Sequence, residues 1–127
     1  MYTADPDPHL LELTMLGNFA AVWLAKEGHA GVVGVNYLEK IQLPLLACLY
    51  GALLAGVDYV LVDAGIPREI PGALDALVEH PEISLKLHVE SGPAEADFRA
   101  RFAPHQLFLG ELPPLCGART SWPSLPQ

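Results

Sequence analysis

The sequence predicts an α/β fold: an N-terminal helix followed by β-α-β-α-β with parallel strands. Three observations carry this expectation. The continuous β-branched run Gly31–Leu38 has the pattern of a strand buried on both faces, typical of parallel sheets, and Asp58–Val62 reads as a second short strand. Leu- and Ala-rich stretches of helical length lie between the strands, at the spacing of about 25 residues that βαβ units need. Twelve prolines and eleven glycines punctuate the chain where one element must give way to the next.

The elements follow in order. Asp7 before Pro8 is a helix start, with a side-chain acceptor at the cap and proline in the first turn. Leu13, Leu16, Ala20, Trp23 and Leu24 then recur at helical spacing, Lys26 suits the last turn, and Gly28 suits a left-handed stop. The first helix is therefore placed at residues 8–27. Leu10, Leu11, Met15 and Phe19 make it apolar nearly all round, so it calls for cover from more than one neighbour. The first strand runs to Leu38, a second helix covers Pro44–Ala55 and ends at Gly56, and Asp58–Val62 is the second strand. Ala64–Pro67 is a turn, and a third helix spans Ile70–Glu79 with Pro71 in its first turn. Ile83–Val89 alternates as a third strand. These strand–helix units occupy residues 31–89. Ser91–Arg101 is polar and charged, and residues 90–115 are expected to form a surface segment.

Composition narrows the function. The net charge of −8, with no basic stripe, argues against nucleic acid and anionic membrane surfaces. The longest apolar run, Leu43–Val57, is shorter than the ~20 residues of a membrane span. Asp5 and Asp7 stand where a signal peptide carries positive charge, so a cytoplasmic location is expected. Cys48 and Cys116 make no CxxC and no metal spacing, so no metal site is expected and Cys48 is read as a buried apolar residue.

Three ordered blocks resemble a branch of the nitronate monooxygenase (2-nitropropane dioxygenase-like) family. They are Gly34-Val35-Asn36-Tyr37-Leu38-Glu39-Lys40-Ile41-Gln42-Leu43-Pro44, then Leu49–Leu61, then Ala64–Asp75. The upstream Trp23–His29 segment looks like the same branch, and the likeness covers residues 9 to 115. The resemblance implies that residues 1–115 form a partial (β/α)8 TIM-barrel fragment, since a whole barrel takes about 250 residues. It also implies FMN as cofactor and oxidation of alkyl nitronates by O2 to a carbonyl compound and nitrite. Asn36 matches the Gly-Val-Asn motif that ends a strand at the flavin, and an asparagine amide both donates and accepts hydrogen bonds. Gly65, at the equivalent end of the next strand, would let the backbone approach the ring, on the same rim as Asn36. Asp63 stands where the family pattern has glycine, and a carboxylate there would disfavour a reduced, anionic flavin.

The chain departs from that family in its catalytic equipment. None of its five histidines lies in the family's glycine-rich His motif, so no catalytic residue is carried over. His29 is read as a loop residue on the rim opposite the chemistry, and His88, ending the third strand, as a candidate general base. No Gly-Gly pair or GxGxxG is present to cradle a phosphate. The chain alone is therefore expected to be inactive. The alternatives are a non-catalytic interaction module and a piece of a flavin-dependent enoyl reductase. Self-association is expected through open sheet edges and the apolar first helix. Residues 116–127 lack any strand or helix pattern, and a shifted reading frame is expected to account for them. The Trp122–Pro123 step must read alanine in the neighbouring frame, and codons can be chosen so that this frame gives basic residues and then an apolar strand.

Overall fold

The computed structural model describes residues 2–38, 40–63, 69–79, 82–88, 98–108 and 110–115. It is a mixed α/β arrangement. Helix α1 (Pro8–Lys26) leads to strand β1 (Gly34–Leu38), helix α2 (Leu45–Leu54) and strand β2 (Tyr59–Asp63). Helix α3 (Ile70–Val78), strands β3 (Ile83–Lys86) and β4 (Arg99–Phe102), and a 3-10 turn at Pro104–Gln106 follow. No helix among the described residues is long and apolar enough to cross a membrane.

The local signals for α1 act as expected. The Asp7 carboxylate accepts the His9 N–H at 2.9 Å, which satisfies one orphan donor of the first turn. Gly28 adopts φ +79° just past the helix, a conformation that costs glycine nothing. The buried face, however, is not the one that the Leu13-Leu16-Ala20-Trp23-Leu24 periodicity marks. Leu11, Met15 and Val22 face inward, while Leu13, Leu16, Trp23 and Leu24 are exposed. Gly51 explains the choice. A Cβ at that position would collide with the Met15 carbonyl oxygen and would lie 3.0 Å from its carbon, so α2 crosses α1 closely because glycine is there.

β1 and β2 pair in parallel, with Val35 opposite Val60, Asn36 opposite Leu61 and Tyr37 opposite Val62. Val35, Tyr37, Val60 and Val62 pack on the helical core, whereas Gly34, Asn36, Leu38, Tyr59, Leu61 and Asp63 form an exposed face. The expectation that the first strand is buried on both faces is corrected: one face is covered. At the opposite rim Lys26 joins the start of β2, its ammonium 2.7 Å from both the Asp58 carboxylate and the Gly56 carbonyl. Asp58 also accepts the Val33 N–H at 2.8 Å.

The third strand does not extend this sheet. β3 pairs antiparallel with β4, Ile83 opposite Phe102 and Leu85 opposite Ala100. On the other edge of β3, side chains take the backbone donors that a parallel neighbour would use. Glu69 accepts the Lys86 N–H at 3.2 Å and Gln42 accepts the His88 N–H at 2.7 Å. The expected β-α-β-α-β with three parallel strands is thus corrected to one parallel pair plus one antiparallel pair. The expected surface segment at 90–115 is corrected within residues 98–108, while residues 90–97 and 109 lie outside the described residues. Arg99-Ala100-Arg101-Phe102 alternates out and in, with Ala100, Phe102, Ala103 and Pro104 buried, and Phe102 meets Tyr50 at 5.3 Å between ring centroids.

Candidate functional site at the carboxyl rim of the strands

In open parallel sheets, ligand sites form outside the carboxyl ends of the strands. The chain leaving β1 runs through Lys40–Pro44 into α2, and the chain leaving β3 runs through Leu87 and His88. Gln42 joins the two exits. Its side-chain carbonyl accepts from His88 N–H, and its amide donates to the His88 carbonyl at 3.3 Å. An amide suits this position because it presents a donor and an acceptor side by side, like a strand backbone. Sequence reasoning passed over Gln42; its signal was a polar residue inside the apolar run that opens α2.

Beside this junction lies an open cleft of about 510 Å³. Ile41, Leu43, Pro44 and Leu87 supply apolar walls, and Lys40 and His88 supply nitrogen. Such a lining suits a small anion with an apolar body: the ammonium meets the charge and the walls take the alkyl part. His88 lines this cleft just past the end of β3, a strand that lies outside the parallel pair. Asn36 does not line this cleft. It sits mid-strand on the exposed sheet face, between Gly34 and Leu38 and opposite Leu61. Gly65, the second cofactor residue expected from sequence, lies outside the described residues, as do the Ala64–Pro67 turn, Cys116 and the tail 116–127.

His29 belongs to the opposite rim. Its Nδ1 accepts the Gly31 N–H at 2.9 Å, so Nε2 carries the proton and donates to the Ala25 carbonyl at 2.6 Å. Both nitrogens serve the turn out of α1. A half-buried polar cluster joins α1, α2 and β1. The Tyr37 hydroxyl donates to Asn18 Oδ1 at 2.7 Å and lies 3.2 Å from the Cys48 carbonyl. Asn18 donates in turn to the Thr14 carbonyl at 2.8 Å, and the Tyr2 hydroxyl meets the Thr14 hydroxyl. Burial pushes up the pKa of Tyr37, Cys48 and Tyr2. A thiol held protonated is a poor nucleophile, so Cys48 acts as a packing residue. The described residues hold no group of three or more His, Cys, Asp or Glu that could bind a metal ion.

The fit to FMN is partial. The exposed sheet face sets Leu38, Tyr59 and Leu61 around Asn36, an apolar surface for a planar ring, with Asp63 on the same face. Two of the three described α-helix starts repel a phosphate. Asp7 and Glu69 place carboxylates at the caps of α1 and α3. At α2 the cap is Pro44, and the Leu45 N–H is already taken by the Gln42 carbonyl at 3.2 Å. An anion needs free N–H groups and no adjacent negative charge. The described residues therefore offer the ring a surface, while the chain has no Gly-Gly pair to cradle the phosphate. Compared with protein-family profiles, curated proteins and solved structures, the chain matches none.

Proposed function

We propose that this chain is a segment of a cytoplasmic, FMN-dependent barrel that oxidises alkyl nitronates with O2, and that the chain alone is not catalytic. The observation that carries the reading is the parallel β1–β2 pair. Its helix-covered face matches the outside of a barrel, and its exposed face, Asn36 with Leu38, Tyr59 and Leu61, matches an interior. Two further features support it: the ordered resemblance over residues 9–115, and the rim cleft, whose lysine and apolar walls suit a nitronate. FMN, when bound, would take electrons from the nitronate. The described residues offer the ring a surface but no glycine-rich cradle for the phosphate, so no turnover is assigned to the chain.

Two proteins test the proposal: the chain itself, and a longer product in which the coding sequence after residue 115 is read in the neighbouring frame. Flavin absorbance and nitrite release from an alkyl nitronate are measured on both. The expected result is a colourless, inactive chain and a yellow, nitrite-releasing longer product that loses flavin on Asn36→Leu. A colourless longer product would sink the flavin reading. Nitrite release by the chain alone would sink the claim that it is non-catalytic.

A further inference from the structure

We infer that the chain forms a symmetric homodimer in which α1 packs antiparallel on α1 of a second copy, through Leu13, Leu16, Ala20, Trp23 and Leu24. This rests on the surface of one helix and is independent of any flavin chemistry. At 100° per residue these positions lie on the side of α1 away from Leu11, Met15 and Val22, which face the core. They form a continuous stripe: Leu13 is 68% exposed, Leu16 48%, Trp23 59% and Leu24 64%. Scattered exposed leucines need no explanation, but a contiguous apolar stripe marks a contact surface. Phe19 stacks on Trp23 with centroids 5.7 Å apart and planes 19° from parallel. The indole is therefore already ordered, and docking onto it costs little further entropy.

The occupant is a second copy because the stripe is complementary to itself. A two-fold axis at the level of Asn18 places Leu13 opposite Trp23, Leu16 opposite Ala20, Leu24 opposite the half-exposed Glu12 at the edge of the stripe, and His9 opposite Glu27, since each pair is equidistant from that residue. With a rise of 1.5 Å per residue, His9 and Glu27 stand about 13 Å on either side of the axis. Each end of the interface then joins an imidazole to a carboxylate. A parallel pairing would set Glu27 against Glu27 and align the two helix dipoles, both unfavourable. Small residues, Gly17 and Ala20, lie near the middle of the stripe beside Leu16. The space around Gly17 is open, and Ala20 projects one methyl, so the helices can approach closely. A cleft of about 230 Å³ between Trp23, Lys26, Glu27 and Ala55 lies at the end that would receive the partner's Leu13 and His9. With the flanking residues, the two copies would bury roughly 1,000 Å², the lower bound for a specific interface.

Sedimentation velocity of the full chain over a wide concentration range tests this. The expected result is a monomer–dimer equilibrium with Kd on the order of micromolar. Trp23→Glu and Leu13→Glu should each raise Kd by about thirtyfold or more with the circular dichroism unchanged, because both side chains are exposed. Leu16→Cys combined with Ala20→Cys should give an oxidised, disulfide-linked dimer, and neither single variant should match its yield. If a substitution lowers the helix signal, His9→Glu decides instead: it sets carboxylates against Glu27 at both ends and must weaken the dimer. A monomer at every concentration overturns the inference, as it would if another protein segment covers α1. A dimer indifferent to these substitutions also overturns it and points to the edges of the β1–β2 sheet.

Discussion

Replacing Gly51 with alanine should destabilise the chain, although alanine is the better helix former. In isolation the change favours α2 by about 1 kcal/mol. The new methyl group would meet the Met15 backbone of α1, with the carbonyl carbon at 3.0 Å and Cα at 3.1 Å, where ordinary contact begins at 3.4 Å. The obstacle is backbone, so no side-chain rotation relieves it and the two helices must separate. Overpacking of a tight contact costs about 1–3 kcal/mol. Here the upper end applies, because separation also loosens the core that Leu11, Met15 and Val22 of α1 share with the buried residues of α2. The net loss is about 2 kcal/mol, which for a chain of this length lowers Tm by roughly 6–12 °C. Thermal and urea unfolding followed by circular dichroism measure it. Gly72→Ala is the control: nothing lies within 4 Å of its added Cβ, so Tm should hold or rise slightly. A Gly51→Ala chain as stable as the parent would refute the close crossing, and with it the account of which face of α1 is buried.

Other consequences can be measured directly. Phe102→Ala, at a site 1% exposed and against Tyr50, should cost about 3–5 kcal/mol in urea unfolding; a loss below about 1 kcal/mol would mean that β4 does not pack on the core. Asp58→Ala removes both the Lys26 pair and the acceptor for Val33 N–H, and should cost about 1 kcal/mol after allowance for partial exposure; an unchanged Tm would deny that this rim ties α1 to the sheet. Burial raises the pKa of Tyr2 and Tyr37 and pushes Tyr50 up to about 12, from an ordinary 10.0. A group whose folded pKa is raised stabilises fully below its unfolded value, so stability should be level up to about pH 10 and fall as pH rises towards 12. Tyrosinate absorbance should then appear together with loss of helix signal, and free titration of these tyrosines near pH 10 in an intact fold would contradict their burial.

The sequence by itself determined the local punctuation and the first crossover. Asp7, Pro8 and Gly28 bound α1 because their side chains, or the lack of one, satisfy helix ends without help from elsewhere. The spacing of the two apolar strands around a Leu- and Ala-rich helix specified the parallel β1–α2–β2 unit for the same reason: the signal is local. Of the cleft, His88 could be named from its place after a strand; Asn36, named in the same way, lies on the exposed sheet face instead. Gln42 could not be named, because its role is to meet a backbone segment 46 residues away. Two matters were decided only by the tertiary structure. α1 is apolar nearly all round, so its periodicity offers more than one face, and the close approach allowed by Gly51 selects the Met15 side. β3 carries an alternating pattern compatible with either pairing. Its partner was chosen by β4, whose Ala100 and Phe102 fill the core beside Leu85 and Tyr50, while Glu69 and Gln42 close the edge that a parallel strand would have used. Side-chain alternation reports which face of a strand is buried, and the direction of its neighbour depends on what the rest of the chain brings to its edges.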